Sequence, residues 1–99
     1  MKLTDQEPQL VRLTAPGCHQ DVATLAEAQG VEFLCPCGDH HILVWFRDRD
    51  VPSTEEPGPA RWTVESGTGL RDLTLSPSIH LLSGCKWHGF VRGGEVVSV

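Results

Sequence analysis

Two short stretches hold the residues best suited to chemistry: Cys35-Pro36-Cys37-Gly38 and Cys85-Lys86-Trp87-His88-Gly89. Three thiolates and one imidazole are a donor set for a single tetrahedral Zn²⁺. Cys85 and His88 have ordinary ligand spacing. Cys35 and Cys37 are separated by one residue, tighter than the usual spacing of about two to four. Pro36 stiffens that turn, and Gly38 and Gly84 let backbone amides approach the thiolates. The set read from the sequence is therefore Cys35, Cys37, Cys85 and His88. His40 and His41 are spare donors, either of which can stand in for a thiol. Asp39 is a candidate to accept a hydrogen bond from a ligand imidazole, as His40 and His41 are for supporting the ligands from behind. Cys18-His19 has no partner motif around it and reads as incidental. Free cysteine also packs as a small hydrophobe. The Gly, Pro and Cys-x-x-His context favours metal over packing.

The second stretch also invites iron. Cys85-Lys86-Trp87-His88-Gly89-Phe90 looks like the second ligand box of Rieske proteins, which hold a [2Fe–2S] cluster through two Cys and two His. Their first box needs Cys-x-His, and Cys37 stands where that His belongs. Zinc is the expected cofactor and a [2Fe–2S] electron-transfer protein is the alternative.

The elements that must position these donors are extended. Val31–Leu34 runs into the first cysteine turn and Ile42–Phe46 runs out of it, a nearly continuous apolar stretch that predicts burial on both faces. Strand, cysteine turn, strand is a zinc-knuckle hairpin. Trp87–Arg92 and Glu95–Val99 flank Gly93-Gly94, a hairpin signal. Leu10–Thr14 and Arg61–Glu65 are further strand candidates, and Leu73–Ile79 is extended because Pro77 and the residue before it disfavour helix. Residues 21–29 are the one helix candidate, with Asp21 as N-cap and Gly30 past the end, and a strand across Val22–Leu25 is the alternative. The fold expected is a mostly β, metal-stapled single domain over 1–99 with at most one short helix. Residues 1–16 read as a loosely held arm, and the acidic, Pro-rich stretch 47–60 as a mobile surface loop.

Composition narrows the partners. A net charge of −5 on 99 residues argues against nucleic acid and anionic lipid, although an acidic surface can still meet a basic protein. No apolar run approaches the ~20 residues of a membrane span, and no signal-like h-region follows the first residues. Cytoplasmic residence is expected, where thiols stay reduced and free for metal.

The order of these stretches resembles a known family, the small bacterial and phage proteins grouped as domain of unknown function 6527. The residues that carry the likeness are Leu34-Cys35-Pro36-Cys37-Gly38, then Leu75-Ser76-Pro77-Ser78-Ile79, then Cys85-Lys86-Trp87-His88 with Phe90-Val91, and Glu95-Val96-Val97. The family's third turn Cys is Asp39 here. The resemblance implies a metal-binding β fold and supplies no activity. The Trp87–Phe90 variant looks like forms carried by phages, which suggests a phage or prophage protein.

Four ligands close a zinc site, whereas a catalytic zinc keeps a position open for water. No Gly-x-Ser-x-Gly, His-Glu-x-x-His or phosphate loop is present. The expectation is therefore a non-enzymatic accessory protein with a structural zinc. It would act through contacts with an unknown protein partner, or as a homodimer, with Arg61-Trp62 and the 47–60 loop as the contact surface. Ser76 and Ser78 read as braces for the metal turns.

Overall fold

Nine short strands carry the chain, which a computed structural model describes from Met1 to Val99. They are β1 (Gln9–Ala15), β2 (Cys18–Asp21), β3 (Gly30–Leu34), β4 (His41–Trp45), β5 (Thr63–Ser66), β6 (Thr74–Ser76), β7 (Ile79–His80), β8 (His88–Arg92) and β9 (Glu95–Ser98). The strands form three antiparallel sheets, ordered β2-β1-β3-β4, β5-β6 and β7-β8-β9. One 3-10 turn, Leu3–Asp5, is the helical content. The mostly β architecture expected from the alternating and β-branched stretches, with a cysteine-turn hairpin and a C-terminal hairpin, is the one observed.

Residues 21–29 do not form a helix. Asp21 ends β2, and the chain then passes through turns to Gly30. A helix of this length supplies only a few internal hydrogen bonds, and its nucleation is costly. The ladder of β1 takes both ends instead: Val22 donates its N–H to Leu10 O and Gln29 donates to Val11 O, each at 2.8 Å. The Arg49 guanidinium then satisfies the carbonyls of Leu25 (3.1 Å) and Ala28 (2.7 Å) from outside.

The N-terminal arm is built into the fold rather than loosely held. Leu3 is fully buried, its N–H donates to Gly94 O at 2.8 Å, and β1 lies between β2 and β3. The stretch 47–60 is likewise fastened. Glu55 is buried and accepts the Gly17 N–H at 3.0 Å, and Arg61 donates to the carbonyls of Pro52, Gly58 and Ala60.

The core joins the sheets. Phe33, Val44 and Phe46 of the four-stranded sheet region pack in one cluster with Leu73, Leu75, Ile79, Val91 and Val96. Trp45 fills the opposite face of β4, where its indole N–H donates to Glu56 O at 2.7 Å. This is why the run Ile42–Phe46 is apolar at nearly every position. The β8–β9 hairpin turns at Gly93-Gly94, and Gly94 has φ +78°, a left-handed conformation glycine adopts without steric cost. A side chain there would also strike the Arg71 carbonyl.

Candidate catalytic pair and metal centre

The cysteine turn is closed by the ladder it interrupts. β3 and β4 pair Leu34 with His41 and Phe33 with Ile42, and the Cys35 N–H donates to His40 O at 2.8 Å. Cys35 and His40 therefore stand opposite each other across the hairpin. Gly38 (φ +85°) turns the chain between them. Cys85 comes from the loop between β7 and β8, and its Sγ lies 3.6 Å from Cys35 Sγ and 3.2 Å from His40 Nε2. The donor atoms of Cys35, Cys37, His40 and Cys85 all lie within 4.8 Å of one another. This cluster can hold a metal ion.

The electrostatics of the thiols differ. Burial pushes the Cys35 thiol up to about 12, because a thiolate there is stripped of water. The Cys85 thiol is lowered, first of all by a hydrogen bond from the Trp87 backbone N–H. A cation at the cluster offsets the desolvation of the Cys35 thiolate.

His88 does not join this cluster. Lys86 (φ +55°) lies between Cys85 and β8, and His88 opens β8 outside the cluster. Its Nε2 lies 3.0 Å from Ser78 Oγ. With the ring proton on Nδ1, Nε2 accepts from the Ser78 hydroxyl, the arrangement of a nucleophile and its general base. The expected metal role of His88 is thus replaced by contact with a serine. Of the three supporting residues expected around the metal, His40 is itself a donor of the cluster. His41 faces Glu7 at 3.5 Å and Asp39 is exposed. Cys18 is exposed on β2, the His19 ring meets Trp45 edge-on, and neither lies in the cluster.

The serine is held by its neighbours. Ser78 follows Pro77 in the link from β6 to β7, and its carbonyl accepts the Trp62 indole N–H at 3.3 Å. Ser76 donates to Glu65 Oε1 at 2.8 Å, tying the same segment to β5. The His80 and His88 rings stack with centroids 4.4 Å apart and 19° between planes, because β7 and β8 pair these residues directly. Gly89 permits the adjacent Trp87 ring to fold across the strand, since a Cβ there would collide with that ring. Ser78 and His88 are both half-buried.

A half-buried serine on a histidine is the nucleophile arrangement of serine hydrolases. A family model described as bacterial ubiquitination-like system serine protease (BubE) matches residues 5–99. The chain belongs to the BubE family. No curated protein and no solved structure matches it. Membership in BubE corrects four expectations. The family is neither domain of unknown function 6527 nor a Rieske-type protein, and its description names a protease where a non-enzymatic accessory protein was expected. The phage or prophage reading gives way to a bacterial ubiquitination-like system. The Rieske likeness fails physically as well, because His88, the histidine of its second box, lies outside the cluster of thiols. Sequence reasoning missed Ser78 because it sought a nucleophile in fixed motifs, whereas such pairs are recognised by geometry. The available signal was the Ser-Pro-Ser segment preceding a Cys-x-x-His.

Proposed function

We propose that this chain is a serine protease of a bacterial ubiquitination-like system, with Ser78 as nucleophile and His88 as general base, and with a structural zinc on Cys35, Cys37, His40 and Cys85. The observation that carries the reading is the 3.0 Å contact between Ser78 Oγ and His88 Nε2. In acylation, Ser78 Oγ attacks the substrate carbonyl carbon while its proton passes to His88 Nε2. The tetrahedral oxyanion collapses, the C–N bond breaks, and His88 gives the proton to the leaving amine. Water, deprotonated by His88, then attacks the acyl ester; the acid product departs and Ser78 regains its proton. The Ser78 N–H donates to no acceptor within the protein, which leaves it free for the developing oxyanion. His80 keeps the His88 ring in plane by stacking, a positioning role.

Zinc fits the cluster because three sulfurs and one nitrogen match its preferred tetrahedral set. It would tie the β3–β4 turn to the β7–β8 loop and stand apart from the bond-breaking step.

The test is labelling with a fluorophosphonate and intact-mass analysis, alongside hydrolysis of a quenched-fluorescence peptide library. One adduct per chain on Ser78 is expected. Ser78→Ala and His88→Ala should each lose roughly 10³-fold or more in kcat. Labelling elsewhere, or hydrolysis unaffected by Ser78→Ala, overturns the assignment.

A further inference from the structure

A cleft of about 390 Å³ opens between β4 and β7, lined by Ile79, the residue that follows Ser78 in the chain. Its lining is mostly apolar and includes Leu43, Trp62, Ile79, His80 and Leu82. Both strands that flank it are the last of their sheets on that side. In an antiparallel ladder, alternate residues turn their peptide groups to the partner strand and to the open side. On β4, Phe46 N–H donates to Gln29 O and Cys35 N–H to His40 O, so residues 42, 44 and 46 face β3. Leu43 therefore turns its N–H and C=O outward, to the cleft. On β7 and beyond, Leu81 N–H donates to Trp87 O, so His80 turns its peptide groups outward as well. Two open strand edges thus border one apolar cleft.

The chain itself adds backbone to the β4 edge. Trp62 forms a parallel bridge with Phe46, donating its N–H to Trp45 O at 3.0 Å and accepting the Arg47 N–H at 2.7 Å. Trp45 and Trp62 both line the cleft. Trp62 is also the residue whose indole holds the Ser78 carbonyl, so the cleft and the nucleophile share a wall. Leu82 stands at the rim with 84% of its surface exposed, the most exposed large apolar residue of the chain, so folding does not account for its apolar character.

Resting on the reading of Ser78 as nucleophile, we infer that this cleft binds the substrate as an extended peptide. The peptide adds to the open edges at Leu43 and His80 and sets an apolar side chain between Trp62 and Leu82, which delivers the neighbouring peptide bond to Ser78. Backbone pairing supplies the alignment and the apolar pocket supplies selectivity.

The experiment uses synthetic hexapeptides with one varied position flanked by a fluorophore and quencher. Cleavage by the full chain should favour a large apolar residue at one position. Leu82→Asp, a change at an exposed site that leaves the circular dichroism spectrum intact, should raise KM for the preferred peptide about ten-fold with kcat within two-fold. In parallel, binding of the preferred peptide to Ser78→Ala is followed through tryptophan fluorescence, with single N-methyl groups walked along the peptide backbone. Methylation at alternate amides should weaken binding about ten-fold, and methylation between them should not. Uniform tolerance of N-methylation, or a KM unmoved by Leu82→Asp, overturns the cleft as the peptide site. Failure of the nucleophile assignment reads out separately, as absent fluorophosphonate labelling of Ser78 with peptide binding retained.

Discussion

His40 stands in the metal cluster where the sequence placed His88, and His88 meets a serine instead. His40 directs Nε2 at Cys85 Sγ (3.2 Å) and His88 directs Nε2 at Ser78 Oγ (3.0 Å). His40→Ala should therefore lose metal while His88→Ala keeps one metal per chain and loses hydrolysis, as read by elemental mass spectrometry and peptide cleavage on the same samples. Three of the four cluster donors, Cys35, Cys37 and Cys85, were legible because thiols next to Gly and Pro have few other uses. The fourth, His40, was named only as a spare donor, because Cys-x-x-His spacing measures distance along the chain and pointed to His88 first. Cys35 also predicts a pH response. Its folded-state thiol lies at about 12, above the ordinary 9.0, so folding favours the protonated form. In metal-free protein this contribution is present below the ordinary thiol value and is lost as pH rises toward about 12. Metal binding must release that proton, so metal affinity should rise with pH through the neutral range, which competition with a chromophoric chelator will measure.

At the scale of elements, the cluster links the turn that begins β4 to the loop that follows β7. These strands flank the apolar cleft, so a metal held by the cluster would fix its width at one end, while Trp62 bridges to β4 and to Ser78 at the other. Chelation, or Cys35→Ser, should lower the melting temperature by roughly ten degrees or more in calorimetry, since structural metal binding contributes folding free energy directly. The same treatment should raise KM for peptides by letting the two edges separate. The β3–β4 and β8–β9 hairpins were readable from β-branched runs and a Gly-Gly turn. Residues 21–29 were not, because their short amphipathic pattern suits a helix, while the acceptors on β1 that claim their ends lie elsewhere in the sequence. The positions of β5, β6 and β7 relative to β8 depend on such distant pairings too, and with them the meeting of Ser78 and His88.

Over the whole molecule, three small sheets share one core in which Phe33 and Phe46 are fully buried among residues from all of them. Phe33→Ala should cost about 3–5 kcal/mol in chemical denaturation, a large share of the stability of a domain this size. A net charge of −5 favours solubility and disfavours binding to nucleic acid or anionic lipid. The open border of β4 carries a further cost. Ile42–Phe46 is apolar and β-prone, and an uncovered strand of that kind is a template for another copy of itself. His40 and His41 precede it, and Arg47-Asp48-Arg49-Asp50 follows it, charged and polar residues of the sort that interrupt aggregating segments. The groove that admits a substrate is then also the seam along which the protein would precipitate, and occupancy by peptide would serve as its own protection against clumping.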